Sequence, residues 1–457
     1  MSPQPPFARE LRTSATLAAP LVLGHLSTGL IGFVDSVIAG HHGTRTLAAV
    51  AVGTALFWLP MMVPMGTLMA FPPAVSQLDG AGRRGEIAPL FRQALWLAAM
   101  LGVVLFGFLS VVTVALEPMG IAPEIRPGAV AFLHGIRWGV PALTLYLCMR
   151  YLSDGLHWTL PTMVLGFGGL VVLVPMGYAL TWGIGGLPEL GAGGLGIASA
   201  AMMWAQAIAF FVYLWRSKRF ASLGLFSHYE GPRWPLLRNL LATGLPIGVT
   251  VMMEGSLFIV TALLIGRLGG LEAAAHQIAI NVASLCFMIP FGLAEATTVR
   301  VGHALGRGDR EGLRRAAFAG FVLMFATQAV SGVLLLFGNH ALAGLYTADA
   351  AVAALAATLL LYAAAFQFPD GVQVLSAGAL RGLRDTRRPM LLAGLAYWGV
   401  GMPLGAGLGL GLGWGPQGMW VGLIVGLTTA AVLLSMRFLR SSRRVPMNAG
   451  SDSESSP

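Results

Sequence analysis

Residues 238–266 read RNLLATGLPIGVTVMMEGSLFIVTALLIG, an apolar run with Glu254 near its middle and no Arg or Lys within one helical turn of that acid. A run of this length crosses the ~30 Å hydrocarbon core of a bilayer, for which about 20 apolar residues suffice. Further stretches near 15–39, 47–72, 89–115, 130–152, 163–184, 193–215, 273–298, 314–338, 350–378, 389–412 and 418–438 read the same way, separated by short polar turns. The expected fold is all-α and integral to a membrane, with twelve transmembrane helices. A transmembrane β-barrel would instead alternate in segments of about ten residues.

Composition agrees. Of 457 residues, 56% are hydrophobic and 10% charged, with a mean hydropathy of +0.75, against roughly 25% charged residues in a soluble domain. The net charge of +9 does not indicate nucleic acid, because the basic residues sit in alternate loops rather than on one soluble face. With a cytoplasmic N-terminus, 24 of the 28 Lys and Arg fall on the cytoplasmic side, and only Arg45, Arg126, Arg137 and Arg267 fall opposite. The positive-inside rule therefore places both termini in the cytoplasm, and the bacterial inner membrane is the expected location. Met1 to Arg12 is short and polar and leads into a full-length span, so no cleavable signal peptide is expected. Cys148 and Cys286 fall inside spans and read as small packing residues without a disulfide.

Sliding the chain against itself by 226 residues aligns Pro20 with Pro246, Gly40 with Gly266, Pro64 with Pro290, Gly66 with Gly292 and Gly80 with Gly306. Gly155-Leu156 later matches Gly382-Leu383. Each half holds six helices, an even number, so the halves share one orientation and are related by an axis along the membrane normal with a cavity between them. The expected organisation is an N-terminal lobe over 1–215, an inter-lobe cytoplasmic loop over 216–238, a C-terminal lobe over 239–440, and a disordered tail over 441–457. The loop is the longest connection and a natural pivot.

An acid at membrane depth is costly and is a functional candidate by default. Asp35, Glu254 and Asp370 meet that description as cation- or proton-coupling residues. Glu254 suits proton binding, although a carboxylic acid joining two helices as polar glue is also compatible with its position. Asp370 follows Pro369, expected to break its helix and free a carbonyl near Ala365 or Phe366, so that Glu254, Asp370 and this carbonyl could hold Na⁺. A proline-kink cap is the alternative for Asp370, and an interfacial helix-end role for Asp35. Glu295 lies one turn before Arg300 and reads as paired or solvated there.

Gln277 and Asn281, four apart, share a helix face that either binds substrate or joins a neighbouring helix. Met61, Met65, Met253 and Met288 are soft cavity-lining candidates able to repack around varied ligands. There is no Walker A sequence, HExxH or CxxC. No cofactor is expected, and transport draws on an ion gradient.

The chain resembles the multidrug and toxic compound extrusion (MATE) transporters, in particular their NorM branch, over about residues 10–440. The likeness is carried by Gly32-Phe33-Val34-Asp35, by Glu254, by Ala274-Ala275-His276-Gln277 through Pro290-Phe291-Gly292-Leu293, and by Gln367 through Gln373 with Gly378 through Thr386. It implies two six-helix lobes in a V. It also implies export of organic cations and other amphipathic drugs by alternating access against H⁺ or Na⁺, by a monomer in the lipid bilayer. Glu254 and Asp370 match the family's cation-binding carboxylates, Phe258 a neighbouring position, and Asp35 the acid on its first helix. Phe366 stands where the branch often has tyrosine, Leu173 and Gly177 where it has asparagines, and His25 where glutamine is common. These departures favour H⁺ over Na⁺. A lipid-linked oligosaccharide flippase of the same superfamily is the alternative, expected to need cationic residues that the predicted helix interiors nearly lack. A membrane-embedded enzyme is the alternative from another class.

Overall fold

The computed structural model describes residues 7–445, and among these every regular element is helical. The first half comprises α1 (Phe7–His42), α2 (Thr44–Leu68), α3 (Phe71–Gly80), α4 (Ile87–Val112), α5 (Arg126–Ile136), α6 (Val140–Gly155), α7 (Leu160–Trp182) and α8 (Ala192–Arg216). After the short α9 (Lys218–Ala221) come α10 (Trp234–Gly266), α11 (Gly270–Gly306), α12 (Arg310–Tyr346), α13 (Ala350–Gly382), α14 (Arg387–Gly394), α15 (Met402–Ala406) and α16 (Pro416–Arg443). Among the described residues eleven helical segments are long and apolar enough to span a membrane, which makes this a multi-pass membrane protein. The region expected as the fourth span is instead α5 and α6 joined by a tight turn at Arg137–Gly139. Pro141 lies in the first turn of α6, where its missing N–H is tolerated, and the backbone keeps right-handed helical dihedrals from α5 through this 3₁₀ turn into α6.

Most helices outrun the predicted spans. α11 reaches Gly306 rather than 298, and α16 reaches Arg443, so the first residues assigned to a disordered tail are helical. Residues 446–457 of that tail lie outside the described residues. Pro369 does not break its helix, because α13 continues through it from Ala350 to Gly382. The segment near 389–412 keeps a helical course but opens into wide turns at Leu395–Gly401 and Gly407–Gly411, where glycines are dense.

The loop between the halves is strapped to α4. Arg92 pairs with Glu230 at 2.6 Å and donates to the carbonyls of Gly224 and Leu225. Gln93 bonds Gly231 and the Arg233 amide, and the Trp96 indole donates to the Glu230 carbonyl.

Among the described residues the two largest cores lie one among α2, α4, α5, α6 and α8, the other among α11, α12, α13 and α16, and a smaller one joins α1 to α11, α12 and α13. Between them the halves meet where α2 runs along α10, and α1 and α3 run along α11. Glycines make these crossings close, and they come in pairs related by the 226-residue offset. A Cβ on Gly66 would lie 2.6 Å from the Gly248 Cα, and one on Gly292 would lie 2.9 Å from the Val22 nitrogen. Gly80 against His303 and Gly306 against Gln77 form the second such pair. The repeat extends to backbone strain. His157 (φ 59°) and Arg384 (φ 57°), the non-glycine residues with positive φ among those described, occupy equivalent places just after α6 and α13.

Candidate functional site

A cavity of about 670 Å³ lies between the halves. The crossings just described lie between it and the arginine-rich helix ends, joined there by Glu10 and Ser14 with Arg300 and by the Gln77 amide on the Gly382 carbonyl (2.9 Å). Toward the opposite end its walls include the exposed Gly29, Gly32 and Ile259. The lining also reaches Asp385, Thr386 and Pro389 at the arginine-rich end, but none of these is exposed, so the exposed part of the wall lies on the side away from the arginines.

Its C-terminal wall carries the acids. Glu254 on α10 and Asp370 on α13 are joined by one amide: Gln373 Nε2 donates to Glu254 Oε1 at 2.8 Å and to Asp370 Oδ1 at 3.3 Å. The amide is oriented by Tyr397, whose hydroxyl donates to Gln373 Oε1 at 2.8 Å. Asp370 is 2% exposed and Gln373 2% exposed, so neither is solvated by default. Asp370 and Gln373 are three apart on one helix and share a face, a spacing visible in the sequence. Tyr397 comes from a different helical segment, 24 residues on, and nothing local in the sequence announced it.

On the opposite wall Asp35 is 8% exposed and receives one long bond from Ser199 Oγ at 3.5 Å, while its Oδ1 has no hydrogen-bond partner. It lies two turns before the end of α1, which continues to His42. The surrounding helix is apolar: Leu173 is fully buried, and Gly177 packs against Ile38 and Leu195.

Phe258, Phe366, Met61, Met65 and Met288 line the cavity as expected, with Phe258 and Phe366 edge to face at 6.0 Å. Gln277, Asn281 and Met253 do not. Gln277 and Asn281 lie two turns before Ser284 and Met288 on the same face of α11, but there the helix has left the cavity and both are exposed. Met253, next to Glu254, points about a quarter-turn away and packs on the core of the second half.

Glu295 departs furthest from expectation. Because α11 runs three turns beyond it, Glu295 is buried at 9% exposure and bonds His25 Nε2 at 2.9 Å and Arg150 Nη2 at 3.0 Å, while Arg300 turns to Glu10. Arg150 and Arg381, expected at helix ends, are likewise 6% and 7% exposed and line the cavity floor. The helix interiors are thus not free of cations, although Arg150 is paired on both sides, with Asp154 and Glu295.

A fold of two repeated halves around a cavity with buried acids on its walls is an architecture of membrane transporters. The MatE family model matches residues 20–179 and again 246–406, one copy in each half. The chain is 69% identical over 98% of its length, and 98% of the relative's, to a probable multidrug resistance protein NorM of Xanthomonas campestris pv. campestris. It is 43% identical to the multidrug resistance protein PmpM of Pseudomonas aeruginosa, over 97% of this chain and 95% of that one. The eukaryotic MATE transporter AtDTX14 superposes with a TM-score of 0.85 at 19% identity, over 96% of this chain and 100% of that one. An outward-facing multidrug resistance MATE family transporter superposes with a TM-score of 0.87 at 18% identity, over 95% and 96%. The chain belongs to the MatE family.

Proposed function

We propose that this protein is a secondary multidrug exporter that moves organic cations and other amphipathic drugs out of a bacterial cell in exchange for H⁺. It works as a monomer of twelve spans in the inner membrane, with both termini and the arginine-rich ends in the cytoplasm and lobes over 1–215 and 239–440. The observation that carries this reading is the Glu254–Gln373–Asp370 cluster on the wall of a cavity whose exposed part lies away from the arginine-rich side. The names of the relatives support the drug substrates.

The donor set favours H⁺ over Na⁺. A hard cation needs several oxygens converging on one point. Here an amide nitrogen, held in place by Tyr397, stands between the two carboxylates, and Phe366 supplies no oxygen. Two ionised carboxylates sharing one donor repel each other in a poorly solvated wall, and a proton on one relieves that repulsion. Methionines and phenylalanines on the remaining walls accept varied apolar surfaces. Exporting one cation against a negative-inside potential costs ~2.3 kcal/mol per 100 mV, and one entering proton returns as much.

The test is dye movement in liposomes of purified protein under either a pH or a Na⁺ gradient. Exchange of a cationic dye driven by pH alone is expected. Exchange driven only by Na⁺ overturns the proton assignment, and movement of a lipid-linked sugar without dye exchange replaces the exporter by a flippase.

A further inference from the structure

The cavity floor is closed by a charged joint that proton binding on the C-terminal wall does not use. Glu295 Oε2 on α11 bonds Arg150 Nη2 at 3.0 Å and His25 Nε2 at 2.9 Å. Arg150 Nε bonds Asp154 Oδ2 at 3.2 Å, and Asp154 Oδ1 accepts from Thr162 Oγ1 at 2.7 Å. Helices α1, α6 and α7 of the first half are thereby tied to one helix of the second.

This joint breaks the repeat. The glycine crossings around it recur at the 226-residue offset and are contacts of backbone with backbone or small groups. At the places equivalent to Glu295 and Arg150 stand Met69 and Ala377, so the joint has no counterpart across the pseudo-axis. Repetition explains the glycine contacts as a shared scaffold. It does not explain the buried charges, which are costly to desolvate.

The arrangement of spare partners supplies a reason. Arg381 on α13 lies beside Glu295, both lining one small cavity of about 20 Å³, and its Nε and Nη2 have no hydrogen-bond partner. Glu295 Oε1 is also without one. If the halves part, Arg150 keeps Asp154 within the first half, and Glu295 finds Arg381 within the second. Each half then remains internally paired, and neither buried charge is left bare, the outcome that makes breaking a buried ion pair prohibitive.

We propose that the His25/Arg150–Glu295 joint is the inner gate of the cavity, a partner-exchange latch. Closed, it seals the arginine-rich side. It opens by transfer of Glu295 from Arg150 to Arg381. This rests on the alternating-access reading, but its test needs no substrate and so fails separately from that reading.

The test uses full-length protein with Cys148→Ala, Cys286→Ala and a reporter Ser76→Cys, at a position on α3 that is fully buried against Gly302 of α11. A membrane-impermeant maleimide is applied from the arginine-rich side. Glu295→Gln is expected to speed labelling at least tenfold, and Arg150→Met with Glu295→Met together to return it toward the parent rate. Arg381→Met, which removes the receiving partner, is expected to slow labelling below the parent rate. A residue that merely fills space at the floor would not do this. If Glu295→Gln does not insert, His25→Asn removes one of the two donors and is expected to speed labelling about threefold. Unchanged labelling in the inserted variants overturns the latch, as does faster labelling in Arg381→Met.

Discussion

Where the second half carries Glu254, Asp370 and Gln373, the first carries Thr28, Leu143 and Tyr146, and where the first carries Asp35, the second carries Thr261. The two halves nevertheless share their glycine crossings, their helix-terminal backbone strain and their match to one family model. The scaffold is thus repeated and the chemistry is not. Packing constraints act on both copies alike, because a Cβ at either crossing meets the other half's backbone. A buried acid has no such structural reason to be duplicated, and it survives only where it has a partner and a task. The C-terminal wall has two acids, a bridging amide and a hydroxyl that orients it, whereas Asp35 has a single long bond.

The largest effect should separate the two walls. Glu254→Gln is expected to bring pH-driven dye exchange in liposomes to background, while Asp35→Asn keeps at least a tenth of the parent rate. Equal losses would mean that both halves couple, and the asymmetry would then be one of geometry alone. Membrane insertion, followed by yield and thermal melting, is expected to be unchanged in both.

The scaffold makes the opposite prediction of equality. Gly66→Ala and Gly292→Ala each place a methyl group against backbone of the other half, 2.6 Å from the Gly248 Cα and 2.9 Å from the Val22 nitrogen. Each is expected to destabilise the closed state by about 1–3 kcal/mol, read as faster labelling of the Ser76→Cys reporter. A large effect at one and none at the other would show that the crossings are equivalent in sequence but not in load.

The strained turns offer a smaller contrast, since the two positions hold different residues. His157 is pushed down to about 4 by burial first and then by His303, whose ring lies 4.8 Å away across the inter-half contact, with Asp79 opposing and Arg300 and Arg307 adding to the depression. Once exposed, it returns toward its ordinary value near 6.5. The closed state then holds fewer protons than the open one between these values, so closure is strongest above about pH 6.5 and weakens as the pH falls toward 4. The loss at pH 5 is expected to be about 2 kcal/mol or less, read as labelling of the same reporter. His157→Asn tolerates the left-handed turn and should flatten the profile. An unchanged profile would assign the pH response to other groups.

How much of this was legible depends on the range of each signal. Spans and repeat follow from local apolar runs and glycine spacing, and Glu254, Asp370 and Asp35 stood out because each is costly where it lies. The 3₁₀ turn at Arg137–Gly139 was hidden because the run on either side of it is apolar enough to read through. Glu295 was misplaced because its helix was judged to end one turn after it, which made Arg300 the obvious partner. The actual partners, His25 and Arg150, lie 270 and 145 residues away, on helices that meet α11 only through tertiary packing.

Tyr397 belongs to the same class of hidden partner, and its removal sharpens the contrast between the walls most finely. Its hydroxyl fixes which face of the Gln373 amide meets the carboxylates. Without it the amide can turn and present its oxygen to Glu254 and Asp370, which repels ionised carboxylates and suits only a protonated one. Tyr397→Phe keeps the buried ring and loses one hydrogen bond, worth about 1 kcal/mol, so a roughly fivefold slower pH-driven exchange is expected. The pH at half-maximal rate should move with it, which a loss of packing would not produce. Adding Gln373→Glu to this variant puts a third carboxyl in the cluster without its orienting hydroxyl, and since the added repulsion favours the protonated form, exchange should then persist into a less acidic medium than in either single variant. If Tyr397→Phe lowers the rate with no displacement along the pH axis, the tyrosine supports the wall but does not set how the acids take up the proton.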